Sequence, residues 1–443
     1  MRTAILALTA VFVVGCTGPS GPPTANVDGE YGPTPTLTAP EPSGFLPTVV
    51  TARPVGWAAD ETPDAPEGFT VTRYAGDLSH PRRPYLLPNG DVLVAESSTQ
   101  PSRGGGLMGW AANQVQRGAG SIVESANRIT LLRDSDGDGV VDERFVFLEG
   151  LNQPFGMALV GDSFYVGNTD AVLRFPYTEN QTRLEGPGQV VVSLPHNDGA
   201  NGHWTRDLLA SPDGRRLFVG IGSVSNIADQ GMEIEEGRAA VWEIDLASAS
   251  HRVFASGLRN PNGLTWNPES GALWVVVNER DALGDHLVPD YMTSVREGGF
   301  YGWPYSYYGQ HLDERVTPQN AELVARAIAP DYAVGAHTAA LGLAFYTGQA
   351  FPERYRNGAF VAQHGSWNRA SPAGYRVIFV PFAGGAPAGG HEEFLGGFLN
   401  AVGQARGRPV GLALDRTGAL LVADDVGNVV WRVAADAPAP PAD

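Results

Sequence analysis

Two histidines stand in one short polar stretch, His196-Asn-Asp-Gly-Ala-Asn-Gly-His-Trp-Thr-Arg206. Imidazole is the side chain best matched to accepting a proton near neutral pH, so either His196 or His203 can act as a general base. His203 lies closer to the strand that follows and is the favoured one. Farther on, Ser256-Gly-Leu-Arg-Asn-Pro-Asn-Gly-Leu264 sets the guanidinium of Arg259 beside the carboxamide of Asn260. A guanidinium offers a rigid fork for a carboxylate or a developing oxyanion. Gln153, Arg406, Arg408 and the segment His364-Gly-Ser-Trp-Asn-Arg369 add further amide, cationic and imidazole groups. One acidic run, Asp134-Ser-Asp-Gly-Asp-Gly-Val-Val-Asp142, has the carboxylate spacing of an EF-hand calcium loop, with Gly139 at its sharp turn. Its twelfth position is Phe145 rather than a bidentate Glu, so Asp134, Asp136 and Asp138 form either a calcium site or a metal-free hairpin.

Those groups need a scaffold, and a repeat supplies it. Asn152-Gln-Pro-Phe-Gly-Met-Ala158, Arg259-Asn-Pro-Asn-Gly-Leu-Thr265 and Gly407-Arg-Pro-Val-Gly-Leu-Ala413 are copies of one pattern. Each is followed by a polar turn and a β run, and weaker copies begin near Pro84, Asp207 and Leu341. Short strands joined by Asn-Gly and Asp-Gly turns read as hairpins. Six such units, spaced roughly 45 to 85 residues apart, predict an all-β, six-bladed β-propeller of four-stranded antiparallel blades. Residues 69–74 are expected to add an outer strand to the last blade and close the ring. Residues just before the first strand and just after the second strand of each blade share one face. That places Gln153, His203, Arg259, Asn260, Arg406 and Arg408 near the axis, with Glu96, Asn168, Asn226, Glu279, Asp281, His364, Asn368, Arg369 and Asp425 on the same face.

Composition agrees. With 56 Gly and 34 Pro in 443 residues, helical bundles are disfavoured. Charged residues make up only 18% against 43% hydrophobic, which excludes a disordered chain. The formal charge of −18 argues against nucleic acid as a partner. A single cysteine rules out an internal disulfide and a Cys-x-x-Cys-His haem site.

The Arg-Asn-Pro-Asn-Gly stretch, together with Gly298-Gly-Phe-Tyr-Gly-Trp-Pro304 and the His-bearing strand entrance, resembles the soluble glucose/sorbosone dehydrogenase family. Those are six-bladed quinoproteins that use pyrroloquinoline quinone (PQQ). The segments at His364 and Asn197 look most like its sorbosone dehydrogenase branch, and the resemblance covers about residues 68–433. It implies oxidation of a sugar by hydride transfer to PQQ, with electrons passed to an external acceptor, a quinone or a cytochrome. His203 would be the base, and Arg259 would stabilise negative charge on the quinone oxygen. Gln153, Asn260, His364, Arg369, Arg406 and Arg408 would hold the cofactor. The family also implies calcium beside PQQ. Here that position reads Glu279-Arg280-Asp281, where the glucose enzymes have a Gly-Pro pair, so side chains as well as carbonyls are candidate ligands. Loops at 101–123 and 301–340 are expected to overhang the mouth, and Trp303, Tyr305 and Tyr307 are candidates to stack on sugar rings.

The chain begins Met-Arg-Thr, followed by an apolar run from Ala4 to Val14 that is too short to span a bilayer. Val13-Val14-Gly15-Cys16 resembles a bacterial lipobox. The expected organisation is a signal peptide over 1–15, a lipidated Cys16 with a Pro/Thr/Gly-rich tether over 16–66, the propeller over 67–434 and a tail over 435–443. The protein is then an exported lipoprotein on the periplasmic side, with the outer membrane favoured by Thr17 if the cell is Gram-negative. Two other readings stay open: a calcium-dependent propeller lactonase, whose axis should be acidic, and a propeller that only binds.

Overall fold

In a computed structural model of the protein, residues 28–41, 48–101, 106–196 and 202–436 are described. The expected leader, Cys16 and the Asn197-Asp-Gly segment lie outside them.

Strands with both faces buried show how the ring is built. Leu273–Val277 reads Leu-Trp-Val-Val-Val, and all five residues are buried. Side chains alternate along a strand. Val275 and Val277 therefore pack toward the preceding blade, and Trp274 and Val276 toward the following one. The same alternation gives one apolar cluster to each of the six blade interfaces. A seventh cluster of Phe155, Trp204, Leu341 and Val410 fills the axis from four different blades.

The six blades are antiparallel sheets. Their innermost strands are Pro81–Leu86, Met157–Val160, Leu208–Ala210, Pro261–Trp266, Ala340–Phe345 and Pro409–Leu414. As expected from the sequence, Phe69–Ala75 pairs antiparallel with Val429–Ala435 and closes the ring from the N-terminal side. The loop at 101–123 contains a helix, Gly106–Gly118, and the loop at 301–340 a shorter one, Ala321–Arg326. Among the described residues no helix is long and apolar enough to cross a membrane.

The segment expected to be a tether is, over its described part, a strap laid on the propeller. Tyr31–Gly32 adds a fifth strand to blade four by pairing with Val334 and Ala333. Pro54 bridges to Ala405 and Asp64 to Gly396. The Trp57 indole stands edge-on to Trp431 and Phe398. Buried apolar and hydrogen-bonded anchors of this kind offset the entropy that a Pro-rich linker would otherwise keep.

Candidate active site at the mouth of the propeller axis

The repeated glycine explains how the inner strands reach the axis. A Cβ on Gly342 would overlap the carbonyl oxygen of Val410, and one on Gly411 would overlap that of Arg82. Neighbouring inner strands thus approach backbone to backbone, and the residues three positions earlier gather at one mouth.

On the side of blades three and four, Arg259 is buried in a nest of oxygens. Its Nε donates to Asn226 O at 3.3 Å. Nη1 donates to Glu279 O at 2.6 Å and Asn278 O at 3.4 Å. Nη2 donates to Asn226 Oδ1 at 3.0 Å and Asp281 Oδ2 at 3.1 Å. A guanidinium has five N–H groups, and all five are used. Burial alone would raise the Asp281 carboxyl, but His337 and Arg259 hold it below its ordinary value. Burial likewise opposes protonation of His337, yet the hydrogen bond and charge of Asp281 raise it overall.

Beside this nest His203 places Nδ1 2.8 Å from Ser223 O. A carbonyl only accepts, so Nδ1 carries the proton and Nε2 keeps a lone pair. Burial, reinforced by the charge of Arg259, pushes the imidazole down to about 3, so it is neutral across the physiological range. Asn260 donates from Nδ2 to Asn278 Oδ1 at 3.2 Å, while its own Oδ1 is buried and unpartnered. Gly222 fits between the two side chains, and a Cβ there would overlap both His203 and Asn260.

On the side of blades five, six and one, Asp425 is the hub. Its Oδ2 accepts from Arg82 and, at 2.8 Å, from His364 Nε2, with His80 Nδ1 at 3.7 Å. Arg82 also lies over the Trp204 ring, 5.3 Å from its centroid. Arg408 donates to Ala52 O at 3.0 Å, and its Nε is buried without a partner, as is that of Arg82. Three guanidinium groups, Arg82, Arg259 and Arg408, thus line the mouth together with the paired carboxylates Asp281 and Asp425. Burial raises the neighbouring Asp424 and Glu279 carboxyls to about 6 and about 7, so the mouth mixes both signs of charge.

The structure brings together His203, Asn260, Arg259, Asp281 and the carbonyl of Glu279, and separately His364 and Arg408. Gln153, with a positive φ of 48°, spends its amide on Ser98 O at 2.9 Å at the junction of blades one and two. Two expected cofactor ligands are strap anchors instead. Arg369 pairs with Glu30 at 3.0 Å, and Arg406 with Glu61 at 3.0 Å. Reading residues 16–66 as a tether hid those carboxylates. Trp303 is buried and donates to Asn226 O at 2.8 Å, and Tyr307 is buried too, so neither is free to stack on a sugar. His196 bonds Leu194 O at 3.1 Å. His80, Arg82 and His337 went unrecognised as site residues. The signal for the first two was present, since His80-Pro-Arg-Arg83 aligns with Gln153-Pro-Phe-Gly156 and Arg408-Pro-Val-Gly411.

The oxygens expected to hold calcium at Glu279-Arg280-Asp281 do not fit that ion as arranged. Glu279 O and the Asp281 carboxylate serve Arg259, and Asp281 O accepts from Asn226 at 3.0 Å. Arg280 turns away to a buried pair with Asp313 at 2.7 Å. The Glu279 carboxyl, pushed up to about 7 by burial, bonds the Arg280 amide. By contrast, Asp134, Asp136 and Asp138 each offer a carboxylate oxygen lying within 4.8 Å of the others, so this loop can coordinate a cation.

A single-chain propeller with an arginine- and histidine-lined axial mouth is the class that fold and site define. Comparison with known proteins narrows it: the TrAA12-like family pattern matches residues 63–289 and 308–436, and the chain belongs to that family. The chain is 31% identical over 171 residues to the aldose sugar dehydrogenase of Escherichia coli, covering 38% of this chain and 40% of that protein. Among solved structures it is similar to the holo form of the pyranose dehydrogenase PQQ domain from Coprinopsis cinerea. That match has a TM-score of 0.68 and 21% identity, and covers 87% of this chain and 100% of the other. The calcium structure of a family AA12 carbohydrate-active enzyme from Trichoderma reesei superposes with a TM-score of 0.69 at 20% identity, over 88% and 100% of the two chains.

Proposed function

We propose that the protein is a PQQ-dependent sugar dehydrogenase of the aldose or sorbosone type, passing electrons to an external quinone or cytochrome. The observation that carries this reading is His203, held neutral with Nε2 open beside the unpartnered Asn260 Oδ1 and a mouth lined by arginines. The relatives named as sugar dehydrogenases support it. The donor set suits PQQ, a tricarboxylate, because Arg82 and Arg408 each keep a buried Nε–H without a partner. When bound, PQQ supplies the acceptor for the hydride leaving the sugar carbon. His203 Nε2 takes the hydroxyl proton as that carbon becomes a carbonyl. Asn260 Oδ1 accepts from a hydroxyl and orients it. Arg259, with every donor committed, acts through its fixed charge rather than as the quinone-oxygen donor expected from the resemblance.

The test is reconstitution. Purified apoprotein is given PQQ and a redox dye, and aldoses are screened for PQQ-dependent dye reduction. Absence of PQQ binding and of activity over a broad panel refutes the reading. Export and acylation at Cys16 belong to the same proposal, supported by the Val-Val-Gly-Cys pattern. Labelled fatty acid should enter the wild-type protein and not Cys16→Ser.

A further inference from the structure

We propose that Arg259 is the resident cation of the mouth. Its guanidinium fills the oxygen nest of blades three and four that a divalent metal would otherwise occupy, so this site is assembled without calcium.

The nest consists of oxygen alone. Three main-chain carbonyls (Asn226, Asn278 and Glu279), one amide oxygen (Asn226 Oδ1) and one carboxylate oxygen (Asp281 Oδ2) surround the guanidinium. Hard oxygens carrying a single negative charge are also what calcium recruits. The nest is braced independently of Arg259. The Asp281 amide donates to Asn226 Oδ1 at 2.9 Å, and Asn226 Nδ2 returns a bond to Asp281 O at 3.0 Å. The Trp303 indole donates to Asn226 O at 2.8 Å, and His337 Nδ1 lies 3.3 Å from the other Asp281 oxygen. Each oxygen facing inward thus meets one N–H of a group that cannot lose its charge. A divalent ion entering here would share its ligands with a buried positive charge, and would first have to expel it.

The inference does not depend on the sugar reading, because its test reads metal binding rather than turnover. Terbium is the probe, since buried Trp303 lies against the nest and can sensitise its luminescence. The full chain carries Asp134→Asn, Asp136→Asn and Asp138→Asn, so that the surface loop contributes no signal. This protein should show no saturable tryptophan-sensitised emission up to about 1 mM ion, the weak end of extracellular calcium sites. Adding Arg259→Met should create one saturable site, and Asp281→Asn should abolish it again. Saturable emission from the nest with Arg259 in place, lost on Asp281→Asn, overturns the proposal. So does an Arg259→Met protein that folds, by its circular dichroism, yet binds nothing. Should that variant fail to fold, the titration with Arg259 intact decides alone.

Discussion

Asp425→Asn tests whether the mouth is organised by charge. The carboxylate is fully buried, accepts from Arg82 and His364, and is the ion-pair partner of an arginine whose side chain is 7% exposed. Solvent screening is therefore negligible. Removing one member of such a pair strands the other charge in a low-dielectric site, at a cost of about 3–5 kcal/mol. At roughly 2.1 cal/mol/K per residue, a propeller of about 370 residues loses about 1.3 °C of Tm per kcal/mol, so a fall of about 4–6 °C is expected. Burial alone would raise the Asp425 carboxyl, but the surrounding His364, His80 and Arg82 hold it well below the usual carboxylate range. A depressed carboxylate stabilises the fold fully above the unfolded value, near 3.9, and less as pH falls below it. The gap between wild type and Asp425→Asn should therefore be widest above about pH 4 and narrow toward acid. Thermal melts by circular dichroism across pH measure it. Arg82→Met added to Asp425→Asn should recover part of the loss, because no unpaired charge then remains. An unchanged Tm, a gap independent of pH, or a double variant worse than the sum of the singles refutes the reasoning.

His203→Gln should lower PQQ-dependent turnover by about 10²–10⁴-fold while PQQ titration shows binding retained; undiminished turnover removes His203 from the chemistry. Because burial and Arg259 hold His203 at about 3, the wild-type rate should show no inflection from this group between pH 6 and 7. Arg259→Met should move that inflection upward, since the charge that opposes protonation is gone. Trp57→Phe removes the indole donor 2.7 Å from the buried Asp424, at about 1–3 kcal/mol, and should expose residues 48–66 to limited proteolysis before the propeller is cut. Calcium should raise the Tm of the wild-type protein and not that of Asp134→Asn/Asp136→Asn/Asp138→Asn; an equal rise in both places the ion elsewhere.

The propeller was legible because its strands obey local rules. Period-two burial, as in Leu273–Val277, and Gly-containing turns recur six times, and neither depends on distant partners. The phase of the repeat also placed His203, Asn260 and Arg259 at one mouth, and their contacts agree. Which arginine serves which partner was not legible, because that depends on carboxylates and carbonyls far away in sequence. Arg369 finds Glu30 and Arg406 finds Glu61 only after the strap has folded back across more than three hundred residues. The position of Arg82 was legible from the repeat, but its pairing with Asp425 of the last blade was not.

The strap changes what the mouth is made of. Ala52 O takes one Nη of Arg408, and Asp424, gripped by Trp57, accepts the Arg408 amide at 2.7 Å. Arg408 is thus held at both its backbone and its side chain by residues that the strap supplies or fixes. Thr48 O likewise accepts from Asn368, whose Oδ1 caps the Ala282 amide next to Asp281. The segment therefore reaches both halves of the site, the Arg408–Asp425 side directly through Ala52 and the Arg259–Asp281 side through Asn368. A strap so placed ties the Arg408 half of the mouth to the Arg259 half. Its loss should weaken the binding of an anionic ligand spanning them more than that of a small anion held by either half alone.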